Sequence, residues 1–213
     1  YKNDTVNIIS RLKAFTISGI QNYSNKMAVW LQDPNNGVDC DEKKEAMLHM
    51  FDQSCVALIY GSAGTGKSTL INHLSHYFAA NSKLFLAQTN PAVDNLKRKV
   101  TAADSEYMTI AKFIKRSNIR TEYDVLVIDE CSTVSNKDMW QVLQKAQFKI
   151  LILVGDTYQI SAIRFGNWFS VARAFIPETA VFELTKPYRT NDTGLLTLWE
   201  RVRAMDDRIL EAI

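Results

Sequence analysis

Short, mainly apolar runs recur along the chain and predict buried β-strands. Five of them, each bounded by polar or turn-forming residues, cover residues 55–60, 83–87, 124–128, 149–154 and 180–184. Strands that are apolar on both faces are typical of a parallel sheet covered by helices on each side. The pattern therefore predicts an α/β fold with a mostly parallel sheet and helices on both faces.

Helical spacing of apolar residues occupies the segments between and before these strands. Near the N-terminus, a stripe at intervals of three or four comprises Val6, Ile9, Leu12, Thr16, Ile20, Tyr23, Met27 and Trp30. It predicts one or two amphipathic helices, with Gly19 as a candidate break. Further helices are predicted over residues 41–51, 67–78 and 195–209, from Asn90 as N-cap before Pro91, and from Ser135, whose capping box includes Asp138.

Composition narrows the class of protein. The 213 residues are 46% hydrophobic and 23% charged with a net charge of +2, which is typical of a globular domain and too mildly basic to indicate nucleic acid by itself. The three cysteines are widely spaced, and the sequence has neither a membrane-spanning run nor a signal-peptide pattern. We expect a reduced, cytoplasmic protein with no membrane partner. Because the chain begins with Tyr1, we also expect a fragment of a longer protein.

A phosphate-binding motif follows the first predicted strand. Residues 61–68 match G-x-x-x-x-G-K-[ST]. With the next residue they form the predicted nucleotide-binding set: Gly61, Ser62, Ala63, Gly64, Thr65, Gly66, Lys67, Ser68 and Thr69. Glycines allow backbone N–H groups to surround phosphate oxygens at a helix N-terminus, Lys67 can reach the β- and γ-phosphates, and Ser68 can ligate Mg²⁺. The alternative is a glycine-rich turn with a chance lysine. A buried strand before and a helix after favour nucleotide binding.

Three further features stand at the ends of apolar runs. Asp129 and Glu130 follow residues 124–128, where a carboxylate pair can hold Mg²⁺ and activate water, or merely cap the next element. Gln159 follows residues 149–154 and can contact a γ-phosphate or the attacking water. Tyr188 and Arg189 offer a stacking face and a guanidinium for developing phosphate charge. Either of the last two features alone is more often a loop than a site.

In order, these motifs resemble the first RecA-like domain of superfamily 1 helicases. The stretches that carry the resemblance are GSAGTGKST, AQTNPAVDNL, MTIAKF, VIDECS, LVGDTYQI and ELTKPYRT, spread over residues 41–190. Residues 155–169, GDTYQISAIRFGNWF, are similar to the GDxxQL…GN stretch of the RecD-like and Pif-type branch. The resemblance implies a RecA-like P-loop NTPase domain over residues 41–213, preceded by a helical segment over residues 1–40.

The resemblance also implies roles for individual residues. ATP and Mg²⁺ would be the cofactors, with Lys67 and Ser68 on phosphate and metal, Asp129 on metal, Glu130 as catalytic base, Gln159 as γ-phosphate sensor, Tyr188 at the adenine and Arg189 at the γ-phosphate. Thr89, Asn90 and Thr109 match positions that contact a single-stranded nucleic acid, which we expect to be DNA rather than RNA. Helix capping is the alternative for them. Phe165, Trp168 and Phe169 could stack on bases or belong to the core.

Three departures from the family qualify this interpretation. Lys43 stands where the family has an adenine-recognising glutamine, and Ile160, Ser161 and Ala162 replace the usual leucine and prolines. We expect the second RecA-like domain to be missing from this chain and to be its partner in the full-length protein. This chain should bind nucleotide without unwinding by itself.

The leading hypothesis is therefore an ATPase domain of a superfamily 1 helicase or translocase. A P-loop kinase for nucleotides or small molecules is one alternative, although no arginine-rich lid follows the third strand. The other is a nucleotide-gated binding module, against which Glu130, Gln159 and Arg189 argue because a switch does not need every hydrolytic group.

Overall fold

The computed structural model describes residues 2–38, 40–156 and 167–185. The helices are α1 (Lys2–Ala14), α2 (Tyr23–Gln32), α3 (Asp41–His49), α4 (Lys67–Tyr77), α5 (Asn90–Lys99), α6 (Ile110–Lys115), α7 (Asn136–Lys145) and α8 (Trp168–Ala172). The strands are β1 (Val56–Gly61), β2 (Lys83–Ala87), β3 (Ser105–Thr109), β4 (Val125–Ile128), β5 (Ile150–Gly155) and β6 (Val181–Leu184).

The six strands form one parallel sheet in the order β3-β2-β4-β5-β1-β6. The four central strands are buried along their whole length, as their uninterrupted apolar sequences predict. This order places β1 between β5 and β6, and it places β4 next to β5. The predicted α/β RecA-like fold with a parallel sheet is confirmed.

Helices cover both faces of the sheet, as predicted. Alternate strand residues point to opposite faces. Leu58 and Leu126 belong to a core cluster shared with α1, α6, α7 and α8, whereas Ile59 and Val127 belong to a second cluster shared with α2, α3, α4 and α5. The sheet therefore separates two apolar layers.

The two N-terminal helices lie on opposite faces of the sheet. Helix α1 packs against α7, where the amide of Asn136 donates a hydrogen bond to the Thr5 hydroxyl, and α2 packs against α3. The chain breaks between them around Gly19, as expected. Val6 is 63% exposed, so its inclusion in the apolar stripe was wrong. A domain boundary near residue 40 stays a prediction.

Several predicted bounds need correction. Strand β3 was not predicted, because an edge strand with only one buried residue has no continuous apolar run. Helix α5 is capped by the Thr89 hydroxyl, which accepts a hydrogen bond from the Ala92 N–H at 3.3 Å, so Asn90 is the first helical residue and not the N-cap. Helix α3 ends at His49 rather than at residue 51. The helix predicted over residues 195–209 lies outside the described residues.

Candidate active site

The loop between β1 and α4 has a backbone that requires glycine. Gly64 and Gly66 have φ angles of 89° and 85°, in the left-handed region that residues with a Cβ rarely adopt. At Gly61, an added Cβ would lie 2.5 Å from the Thr65 Oγ1 and 2.9 Å from the Leu184 carbonyl oxygen. The motif glycines thus fix the tight path that a phosphate-binding loop needs.

Hydrogen bonds within the loop hold it in this shape. The fully buried Thr65 donates from its hydroxyl to the Ser62 carbonyl at 2.9 Å. The Lys67 ammonium donates to the carbonyls of Gly61 and Ser62, at 2.6 and 2.9 Å. The Lys67 side chain therefore folds back over the loop at the start of α4, where the positive end of the helix dipole lies.

A cavity of about 300 Å³ opens above this loop. Its lining combines the loop with the ends of two other strands and with helix α5: Ala63, Gly64, Gly66, Lys67, Ser68, Thr69, Asn95, Lys99, Asp129, Glu130, Gly155 and Asp156. Parallel β1, β4 and β5 all end at this edge, which is where ligands bind in open α/β sheets. Gly61, Ser62 and Thr65 do not line the cavity but shape the loop beneath it.

The two carboxylates at the end of β4 face this cavity in different environments. Asp129 is 9% exposed, and its Oδ1 accepts a hydrogen bond from the Glu130 N–H at 2.8 Å. Burial raises the pKa of Asp129 and outweighs the hydrogen bond from the Glu130 N–H and the charges of Lys67 and Lys99, which lower it. Burial and the neighbouring charge of Asp129 raise the pKa of Glu130, whereas the charge of Lys67 lowers it by less. The cavity thus pairs carboxylates that ionise less readily than usual with cations that favour their charge.

Glu130 has a left-handed backbone with φ of 55°. For a residue with a Cβ this conformation costs about 1–2 kcal/mol. Such outliers persist where the surrounding structure enforces them, and they cluster at functional sites. At Glu130 the backbone turns the chain from β4 into the short 3₁₀ helix at Cys131–Thr133.

The donors on this cavity suit Mg²⁺. The Ser68 hydroxyl and the Asp129 carboxylate are hard oxygen ligands, and Mg²⁺ binds through one or two such groups while keeping several waters. Their shared cavity is also where phosphate oxygens would supply further ligands.

Four lining residues, Asn95, Lys99, Gly155 and Asp156, were not predicted as site residues. Asn95 and Lys99 are four residues apart and therefore lie on the same side of α5, and Asp156 directly follows β5. Gly155 and Asp156 belong to the predicted stretch of residues 155–169 but had no predicted role. Asn95 lies in the stretch AQTNPAVDNL but had no predicted role, and for Lys99, which no motif contains, the only available signal was its helical spacing from Asn95.

Two of the three residues predicted to contact single-stranded nucleic acid, Thr89 and Thr109, cap helices that follow one another in the chain. Thr89 is the N-cap of α5, and Thr109 is the N-cap of α6, where its hydroxyl accepts a hydrogen bond from the Lys112 N–H at 3.2 Å. In the register of β2 and β3, Thr109 pairs with Ala87, two residues before Thr89. Both threonines are thus near the carboxyl edge of the sheet, and Asn90 is exposed beside Thr89.

Other predicted residues are core or lie outside the described part of the chain. Trp168 and Phe169 are buried, with the Trp168 indole N–H bonded to the Val134 carbonyl at 2.9 Å, so they belong to the core. Lys43, at the glutamine position, is also fully buried. Gln159, Phe165, Tyr188 and Arg189, with residues 160–162, lie outside the described residues.

The fold and cavity define a P-loop nucleotide-binding domain of the RecA-like kind. The sequence matches the AAA domain family over residues 40–213, and the chain belongs to this family. The predicted relation to the first RecA-like domain of superfamily 1 helicases is confirmed in family and fold.

Similar proteins extend beyond this chain. A probable conjugal transfer protein TraA from Sinorhizobium fredii is 29% identical over 161 residues, which are 71% of this chain and 14% of that protein. Bacteroides Pif1 bound to ssDNA is 17% identical, with a TM-score of 0.52 over 78% of this chain and 46% of that chain. Bacteroides sp Pif1 in complex with ADP-AlF4 is 17% identical, with a TM-score of 0.50 over 79% and 47%.

At these identities the solved structures establish the fold, and this chain spans less than half of each relative. Among the described residues, none of the helices has the length and apolar character needed to cross a membrane.

Proposed function

We propose that this chain is the ATPase domain of a superfamily 1 helicase of the RecD-like and Pif-type branch. In this proposal, Mg-ATP hydrolysis drives movement along single-stranded DNA in the full-length protein. The observation that carries the proposal is the convergence of Lys67, Ser68, Asp129 and Glu130 on one cavity at the carboxyl ends of β1 and β4. Three free cysteines are compatible with a reduced, cytoplasmic setting.

The side chains of the cavity divide the work of phosphoryl transfer. Lys67 exchanges its bonds to the loop carbonyls for bonds to the β- and γ-phosphates, which are stronger because both partners are charged. Ser68 and Asp129 would hold Mg²⁺, which would neutralise phosphate charge. Glu130 orients the attacking water and accepts its proton. Gln159, Tyr188 and Arg189 keep their predicted roles as sensor, adenine contact and γ-phosphate contact.

DNA binding involves Thr89, Asn90 and Thr109 at the same edge of the sheet. Hydroxyl and amide groups at helix N-termini suit phosphates, because helix N–H groups and dipoles favour negative charge there. The structural likeness to Bacteroides Pif1 bound to ssDNA supports this part of the proposal. Unwinding needs a second RecA-like domain, which would close the cavity from the opposite side.

The test is ATP hydrolysis by full-length protein carrying Lys67→Ala or Glu130→Gln, with and without single-stranded DNA. Glu130→Gln should keep ATP binding and lose about 10²- to 10⁴-fold in turnover, the range for a general base. Lys67→Ala should lose binding. The exposed Lys137→Ala on α7 provides a matched charge-removal control and should change neither.

The result also separates the alternatives. A translocase predicts turnover that single-stranded DNA strongly stimulates and that salt suppresses, because strand binding releases counterions. Turnover that requires a small phosphate acceptor would indicate a kinase. Binding without turnover in the wild type would indicate a nucleotide-gated module, and DNA-stimulated hydrolysis persisting in both variants would refute the assignment.

A further inference from the structure

Helix α5 connects the predicted nucleic-acid contacts with the cavity above the phosphate-binding loop. At its N-terminus are Thr89 and Asn90, the predicted contacts to single-stranded DNA. Further along the helix, Asn95 and Lys99 line the cavity above the phosphate-binding loop, hereafter the nucleotide cavity. The helix has ten residues, so its length is about 15 Å. A shift of this rigid helix would therefore move both the DNA contacts and the cavity residues.

Lys99 lines the cavity with a charged side chain that is available to a ligand. Its side chain forms no hydrogen bond or ion pair with any other residue in the described part of the chain, and its charge acts on Asp129. The half-buried Asn95, one turn earlier, likewise makes no side-chain hydrogen bond within the described ranges. Lys67, in contrast, is held by two loop carbonyls. The α5 wall thus offers one charge and one amide to a ligand.

A lysine near a helix C-terminus also has an ordinary explanation. The last turn of α5 contains Lys97, Arg98 and Lys99, and any of them stabilises the negative end of the helix dipole. Only Lys99 of these three lines the cavity. The helix dipole therefore explains the cluster but not the orientation of Lys99, and Lys97 is a matched control on the same turn.

We propose that Lys99, assisted by Asn95, is a second phosphate-binding residue that contacts the terminal phosphate of bound nucleotide. The terminal phosphate is the expected partner because Lys99 lies on the cavity with Asp129 and Glu130, where hydrolysis would take place. Loss of that phosphate would release α5 from the nucleotide and so change the position of Thr89 and Asn90. This inference rests on the proposed ATPase function.

The first test compares a non-hydrolysable ATP analogue with ADP, in Mg²⁺, binding to full-length protein. Lys99→Gln should weaken binding of the analogue about tenfold while changing ADP affinity less than about twofold, since a charge-assisted bond to one phosphate is lost. Lys99→Arg keeps the charge and should restore most of the affinity. Lys97→Gln should bind both nucleotides like the wild type.

The second test measures affinity for single-stranded DNA with the analogue and with ADP. Lys99→Gln should reduce the ratio of the two affinities towards one, whereas Lys97→Gln should leave it unchanged. The inference would be overturned if Lys99→Gln bound the analogue and ADP with wild-type affinities, or if it lost affinity for both by the same factor. The proposed function would still stand if Lys67→Ala abolished binding, and it would fail separately if Lys67→Ala bound nucleotide normally.

Discussion

Gly19 occupies a position where no side chain fits, and Gly19→Ala is expected to destabilise the fold. An added Cβ would lie 2.2 Å from the Asp52 carbonyl oxygen and 2.4 Å from the Phe51 oxygen, both backbone atoms that cannot turn away. Overpacking costs about 1–3 kcal/mol. The displaced segment would also strain the bond from the Ile20 N–H to the Phe51 carbonyl, now 2.8 Å, worth about 1 kcal/mol. We expect a loss of about 2–4 kcal/mol in unfolding free energy.

Urea unfolding followed by tryptophan fluorescence measures this loss. Gly37→Ala is the matched control, because its added Cβ has only the Pro34 oxygen nearby, at 4.0 Å. It should change the unfolding free energy by less than about 1 kcal/mol, and in the stabilising direction if the unfolded chain loses freedom. Equal midpoints for the two variants would refute the steric reasoning and would mean that residues 15–22 adjust freely.

Two further predictions concern other hydrogen bonds. Lys149, and then the Ser82 N–H, lower the pKa of Asp124 to about 2 from 3.8, so its stabilisation is present above pH 3.8 and is lost as the pH falls through about 2. Asp124→Asn should therefore cost about 1 kcal/mol at pH 7, limited because solvent screens the exposed Lys149, and the difference from wild type should shrink as the pH falls through about 2 and vanish below it. Thr89→Ala and Ser135→Ala each remove an N-cap and should each cost about 1 kcal/mol. Only Thr89→Ala should weaken single-stranded DNA binding. Equal DNA affinities of the Thr89→Ala and Ser135→Ala variants would mean that Thr89 serves only as a helix cap.

The sequence was sufficient wherever local chemistry decides structure. Buried strands were predictable because β1, β2, β4 and β5 are apolar on both faces. The phosphate loop was predictable because Gly64 and Gly66 permit backbone angles that other residues avoid. Strand β3 was not, because a half-buried edge strand lacks that pattern. The cap of α5 was assigned one residue late, because Thr89 and Asn90 are both good caps and only the backbone path distinguishes them.

The class of fold, the phosphate loop and the carboxylate pair can all be predicted from the amino-acid sequence. These features are encoded by contiguous residues, and each can be read without knowing its neighbours in space. Only the tertiary structure decided the strand order, the placement of α1 and α2 on opposite faces, and the arrival of Asn95 and Lys99 at the nucleotide cavity. The packing of α5 beside α4 fixes that last arrangement, and contacts between distant segments leave no local pattern along the chain.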